Sequence, residues 1–477
     1  MSSKLSLAPE DFRGFGRGIL DYISAYYQGL ADRPVVRATS AKELRELFSE
    51  PLPRAGCSFD DLMEGVRRIV QFSRHNGHPR MFGYVTSAGT ELSALGSLVE
   101  SALNANVTCW RSGPAATEVE QVAVGWLKEM LGYPAEAAGI LVGGGSMANF
   151  TALAAARSAK AGVDVMRDGV AAVGRPMCIY VSEEGHFSVR KAAGMLGMGA
   201  GNVRAVRTNA RREIDLGELE RLVAEDRVAG RLPVCVVATA GSAATGAFDP
   251  IGVLADFAKR HHLWLHVDAA YGGFACLAGE TRPLFARIGE ADSVALDPHK
   301  WLFLPVGCGC VLYRDPAAAL AVFRENAEYT RAIGLEADES FAFWDYGPEL
   351  SRPFRALNLW LLIKFAGVEV LGQAVAANLA CARRLEELVS AADDFELLCP
   401  RGLSIVCFRY RPQGFAGDLD ALNQEILVKL QRGGSSYVSN AQVAGKFALR
   451  ACVVNHRTEA RDMEILLEDV RTSAERR

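Results

Sequence analysis

Seven short apolar runs recur through the middle of the chain, at 140–142, 177–181, 203–206, 233–238, 263–267, 293–296 and 308–313. Stretches of helical spacing separate them. The runs are continuous rather than alternating, which predicts strands buried on both faces and so a mostly parallel sheet covered by helices. Ligands of such sheets bind beyond the carboxyl ends of the strands. Two further runs, 403–410 and 447–454, lie among helical segments and predict a small C-terminal α/β domain. Upstream, Phe12, Phe15, Ile19, Ile23, Tyr26 and Leu30 fall at helical spacing over 8–31. Gly14, Gly16 and Gly18 weaken that helix by about 1 kcal/mol each relative to alanine, so it needs a partner surface. The chain's own core and a second subunit are both open as that surface. Thr117-Glu118-Val119-Glu120 has the pattern of a capping box opening a helix that ends at Gly132 and Pro134. Residues 326–350 break the rhythm, and long aperiodic stretches in compact domains are often lids.

The 477 residues suffice for a large domain with one or two smaller ones, and half of them are hydrophobic. A net charge of -4 argues against nucleic-acid or anionic-membrane binding as the main task. No uninterrupted apolar run approaches the ~20 residues of a membrane span. The first residues, MSSKLSLAPEDF, have no apolar core of signal-peptide length. The eleven cysteines form no CxxC pair, and with eight scattered histidines they give no metal spacing. A cytoplasmic, reduced protein without a metal is the expectation.

Four polar motifs follow the apolar runs. Gly143-Gly144-Gly145-Ser146 leads from a strand into a helix and is either a plain tight turn or a phosphate cradle, where backbone N–H groups and the helix terminus meet an anion. His186 follows the second run and is either structural or a ring stacker. Asp268, in HVDAAYGG, is either a turn-capping carboxylate or the partner of a protonated ring nitrogen. Lys300, in DPHKW, is either a surface amine or a former of Schiff bases with a carbonyl cofactor. In this chain order, the set makes up the parts of a pyridoxal-phosphate site.

The motifs GHPRMFGY, GGGSMANFTALAAAR, LWLHVDAAYGG, ADSVALDPHKWLF and LRACVVN resemble the group II pyridoxal-dependent amino-acid decarboxylases, over residues 70 to 457. The resemblance implies an α/β, fold-type I architecture with a helical segment at 1–83 that packs on a partner subunit, a large cofactor domain at 84–360 and a small domain at 361–477. It implies a homodimer that binds pyridoxal 5'-phosphate and converts an L-amino acid, by default an aromatic one, to its amine and CO2. Acidic or diamino substrates and aldehyde synthesis are the alternatives. Lys300 is then the Schiff-base lysine, Asp268 the ring-nitrogen acid, His186 the stacker and Ala270 the packing on the opposite face. Gly145, Ser146, His299 and Asp297 fall on the phosphate side. Tyr84 maps to a pocket position, and Arg450 either meets the substrate carboxylate or makes a fold-internal ion pair. Tyr329, inside the expected lid, maps to the tyrosine that protonates the α-carbon; otherwise it is an ordinary loop tyrosine. The chain departs from the family at Ala243, which lacks a hydroxyl, and at Asn76, Asn106 and Thr108, which make the side-chain pocket more polar. Ser351 would suit a polar substrate tip.

Overall fold

The computed structural model describes residues 5–325 and 338–475. All seven expected strands are present: β1 (Ala138–Val142), β2 (Met177–Ser182), β3 (Val203–Val206), β4 (Leu232–Thr239), β5 (Trp264–Ala269), β6 (Ser293–Leu296) and β7 (Gly309–Tyr313). They form one sheet in the order β1-β7-β6-β5-β4-β2-β3. Only β7 runs against the rest, pairing antiparallel with β1 and with β6. β2, β5, β6 and β7 are buried along their whole length, which accounts for their uninterrupted hydrophobicity.

The C-terminal sheet has four strands, not two. β8 (Phe395–Leu397), β9 (Ile405–Tyr410), β10 (Ser439–Val443) and β11 (Lys446–Cys452) pair antiparallel in the order β10-β11-β9-β8. β10 escaped the sequence reading because it is an edge strand. Its burial alternates, so only Ser439, Ala441 and Val443 face inward and no apolar run results.

The helix Ala356–Ala391 links the two sheets and breaks at Gly367, whose φ of 76° only glycine adopts readily. By length and composition it would suffice to cross a bilayer. Its buried residues instead join protein cores: Leu359, Leu371 and Leu379 pack in the large core, while Ala382, Leu385 and Val389 pack in the small one. The expected boundary at 360/361 thus falls inside this helix, and the change of core comes nearly twenty residues later.

Thr117 and Glu120 do not form a capping box. Pro114 opens the helix Pro114–Leu131 one turn earlier, because its fixed φ suits a first helical position and it has no N–H to satisfy. Glu120 is buried and pairs with Arg352 instead. The N-terminal helix is present as Pro9–Gln28, yet none of its residues is buried. Phe15 stacks on Phe59 of the helix Phe59–Phe72, which itself exposes Leu62, Val66 and Ile69.

Buried histidines give the fold a pH dependence. Burial pushes His78 and His266 from the ordinary 6.5 down to about 4, and His456 shifts the same way. Between those values the unfolded chain binds more protons, so the stability is present above pH 6.5 and is lost as pH falls towards 4. Asp249 opposes this, because burial raises its carboxyl to about 6 and the folded state then holds the proton more tightly. Two fully buried histidines outweigh one carboxyl, since each tenfold change in proton affinity is worth about 1.4 kcal/mol. The thermal midpoint should therefore fall from about pH 6.5 to 5, a window set by the ordinary histidine pKa. A calorimetric midpoint that stays level or rises over this interval would contradict neutral burial.

Candidate active site

The carboxyl ends of β1, β2, β4, β5 and β6 open into a cavity of about 500 Å³. Gly143, Gly144, Gly145 and Ser146 line it just after β1, His186 after β2, Thr239 and Gly241 at the end of β4, Asp268 and Ala270 at the end of β5, and Asp297, His299 and Lys300 after β6. The polar groups converge because the turns of neighbouring parallel strands share one sheet edge. A second cavity of about 520 Å³, at Trp126, Met130 and Leu277 beside the Gly367 break, has no such convergence of lysine, histidine and aspartate.

Gly144 caps the helix Gly145–Ala161 with a φ of 146°, which an L side chain rarely adopts. A Cβ on Gly145 would lie 2.7 Å from Asp297 Oδ2 and 2.8 Å from the Ala270 methyl. Glycine there leaves the backbone N–H groups of a 17-residue helix terminus open to the cavity.

Lys300 Nζ sits 2.9 Å from Asp297 Oδ2, while Asp297 Oδ1 is buried without a hydrogen bond. His299 Nδ1 meets the Cys308 carbonyl oxygen at 2.8 Å. Asp268, only 6% exposed, accepts from Asn149 Nδ2 at 2.8 Å and from the Ala270 N–H at 3.2 Å. His186 Nδ1 accepts from the Ser188 N–H at 3.3 Å and lies 2.8 Å from Ser188 Oγ. Burial holds the His186 imidazole below its usual pKa, although Asp268 pulls the other way. A neutral aromatic ring, a lysine amine, a carboxylate and a glycine-lined helix terminus fit the ring, aldehyde, ring nitrogen and phosphate of pyridoxal phosphate.

The remaining expected residues lie elsewhere. Arg450 is 3% exposed, and its donors reach the Ala244 and Tyr84 carbonyl oxygens, each at 3.1 Å, and Ser439 Oγ at 3.0 Å. It makes no ion pair among the described residues, and its Nη2 is buried without a partner. Tyr84 has a left-handed φ of 61° and is half-exposed beneath the Arg74 guanidinium. Asn76 accepts from Arg74 Nε. Asn106, Thr108 and Ser351 do not line the cavity. They gather at Arg352, whose N–H donates to Asn106 Oδ1 at 2.9 Å and whose guanidinium packs 4.3 Å from the Phe343 ring centroid. Thr108 Oγ1 is buried without a partner. Ala243 lines the cavity, and its neighbour Ser242 donates to Glu184 Oε2 at 3.1 Å. Tyr329 and residues 326–337 of the expected lid lie outside the described residues; from Phe341 onward the stretch packs through Phe341, Phe343 and Tyr346. Sequence reasoning missed Asn149 as a site residue. Its signal was one amide in an alanine-rich helix, four residues after Gly145 and so on the same face.

Residues 41–411 match the family model described as "Pyridoxal-dependent decarboxylase conserved domain". An aromatic-L-amino-acid decarboxylase of Bacillus atrophaeus is 33% identical across all of this chain and 98% of its own length. A phenylacetaldehyde synthase of a Rosa hybrid cultivar is 31% identical, over 95% of this chain and 92% of its own. The crystal structure of an Oryza sativa TDC with PLP and tryptamine superposes with a TM-score of 0.90 at 30% identity, covering 98% of each chain. With the family model spanning most of its length and relatives similar over nearly the whole chain, the chain belongs to the pyridoxal-dependent decarboxylase family and is a pyridoxal-phosphate-dependent carboxy-lyase of amino acids.

Proposed function

We propose that the protein decarboxylates an aromatic L-amino acid to its amine. The whole-length likeness to an aromatic-L-amino-acid decarboxylase carries the substrate class. When bound, pyridoxal phosphate draws electrons from the α-carbon as the carboxylate leaves. The chain's residues supply the rest. Lys300 would hold the cofactor covalently through its amine. Asp268 would keep the ring nitrogen protonated, which makes the electron withdrawal effective. His186, whose imidazole burial holds below its usual pKa, would pack on one ring face and Ala270 on the other. Gly145, Ser146 and His299 would take the phosphate side, with Asp297 beside them. The unpartnered, buried Nη2 of Arg450 suits a substrate carboxylate, since a lone buried cationic donor is costly until an anion meets it. Tyr84, whose carbonyl oxygen binds Arg450, stands at the same approach.

Two apolar surfaces support a homodimer. The helix Phe59–Phe72 exposes Leu62 and Ile69, and the helix Glu91–Leu103 exposes Leu95, Leu98, Val99 and Leu103. Asn106, Thr108 and Ser351 do not line their own chain's cavity, which leaves the partner's cavity as the one they could serve in that assembly.

The likeness to a phenylacetaldehyde synthase makes aldehyde the competing product. Tyr329 decides between them if its phenol protonates the α-carbon. Incubating the holoenzyme with each of the twenty amino acids, and measuring CO2, amine, aldehyde and peroxide, tests both points. Amine from an aromatic substrate is expected; CO2 release confined to acidic or diamino substrates would overturn the substrate class. Tyr329→Phe should slow amine formation and raise aldehyde and peroxide. Amine at the unchanged rate without aldehyde would remove Tyr329 as the acid.

A further inference from the structure

From Asn149, which lines the cavity beside Asp268, an unbroken hydrogen-bonded chain of buried side chains runs back to Trp264. Trp264 Nε1 donates to Ser293 Oγ at 2.8 Å. Ser293 Oγ lies 2.9 Å from His266 Nδ1, and His266 Nε2 lies 2.8 Å from Asn149 Oδ1. Asn149 Nδ2 then donates to Asp268 Oδ2 at 2.8 Å and to Ser188 Oγ at 2.9 Å. Ser188 Oγ is the group beside His186 Nδ1. His266 and Ser293 are fully buried and Asn149 is 1% exposed, so water does not offer these groups alternative partners.

The direction of the bonds is set from the Asp268 end. A carboxylate only accepts, so the Asn149 NH2 faces Asp268 and its carbonyl oxygen faces His266, which must then carry its proton on Nε2. In the neutral ring Nδ1 is then bare and accepts the Ser293 hydroxyl proton. The Trp264 end is compatible with this: an indole N–H only donates, so Ser293 Oγ accepts from it and keeps its own proton for His266. Burial keeps that imidazole neutral by pushing its pKa down to about 4. At the near end, both protons of the Asn149 amide are used, one on the ring-nitrogen acid and one on the hydroxyl that orients the stacking histidine.

We infer that His266 is a positioning residue. Its Nε2–H locks the Asn149 amide in the one orientation in which the NH2 group supports Asp268 and Ser188 together. Without that lock the amide can turn its oxygen toward Asp268. Lone-pair repulsion would then favour the protonated carboxyl and weaken its hold on a cationic ring nitrogen. This consequence rests on Asp268 meeting the cofactor ring; the tautomer does not.

The test joins a spectroscopic signature to a rescue. In protein labelled with 15N-histidine, with and without cofactor, His266 should show a protonated Nε2 and a bare Nδ1, without titrating over about pH 6 to 8, the ordinary histidine range. A protonated Nδ1, or titration in that range, overturns the inference without any variant having to fold. His266→Leu removes the donor, whereas His266→Gln keeps an N–H at similar reach. In His266→Leu the cofactor dissociation constant should rise about tenfold or more, the usual worth of a hydrogen bond to a charged group. The acid limb of cofactor binding should also move up by about one pH unit, because the carboxyl loses that donor. His266→Gln should stay within about threefold of wild type if the amide retains its bond. A folded His266→Leu protein with wild-type affinity and pH profile, or a glutamine variant no better than leucine, overturns the positioning role. If the tautomer is as stated but Asp268→Asn leaves cofactor affinity and rate intact, the role of Asp268 fails and the hydrogen-bonded chain stands.

Discussion

Lys300→Ala should abolish turnover and the covalent attachment of the cofactor, so that borohydride reduction no longer fixes it to the protein. The lysine stands at a sheet edge where His186, Asp268, Asp297 and His299 line the same cavity, and among the described residues no second lysine lines it. The variant should also destabilise the cofactor-free protein. Removing the amine leaves the buried Asp297 with only His299 Nε2, 3.8 Å from Oδ2, and with no hydrogen bond on Oδ1, a loss on the order of a few kcal/mol. Lys300→Arg separates the two effects. It retains a cation for Asp297 and should recover much of the thermal midpoint, yet guanidinium forms no Schiff base and activity should stay absent. Near-normal steady-state activity in Lys300→Ala would end the assignment of this residue.

Asp268→Asn should keep the fold and part of the cofactor affinity while kcat falls by about a thousandfold, or about 4 kcal/mol at 1.36 kcal/mol per decade. The amide fills the same space and can still accept from Asn149 Nδ2, so the packing around it is preserved. What disappears is the negative charge. In a site 6% exposed that charge acts with little solvent screening, and a neutral amide cannot hold a ring nitrogen protonated. Comparing kcat with KM distinguishes this from a binding defect: the loss should fall on kcat. A rate within about threefold of wild type, less than 1 kcal/mol, would mean that the ring-nitrogen role is misassigned.

The large sheet was legible because its strands are buried on both faces. Burial demands apolar residues at every position, and β2, β5, β6 and β7 show that demand directly as unbroken runs. The core of the candidate site was legible for a related reason. Gly145, His186 and Lys300 each follow a recognisable strand within a few residues and Asp268 is the penultimate residue of one, so reading the strands also placed the site. Exposed edges were less visible: β10 buries only alternate side chains and is too polar to stand out.

Contacts between segments distant in sequence were not legible at all. Glu120 looked like part of a capping box because Thr117 precedes it at the right spacing; only the approach of Arg352, more than two hundred residues later, makes it half of a buried ion pair. Arg450 could be read as half of a fold-internal ion pair or as the partner of a substrate carboxylate. The fold surrounds it with carbonyl oxygens and a hydroxyl and leaves Nη2 without a partner. His266 gave no sign beyond its place in an apolar strand. Its role arises because β5, β6 and the helix Gly145–Ala161 bring Ser293 and Asn149 to its two nitrogens. Local sequence thus determined the strands, the turns and the residue types at the sheet edge, since backbone geometry and burial act over a few neighbours. The tertiary structure decided which distant polar groups meet and which stay unpaired, because a buried donor or acceptor is satisfied by whatever the fold packs against it.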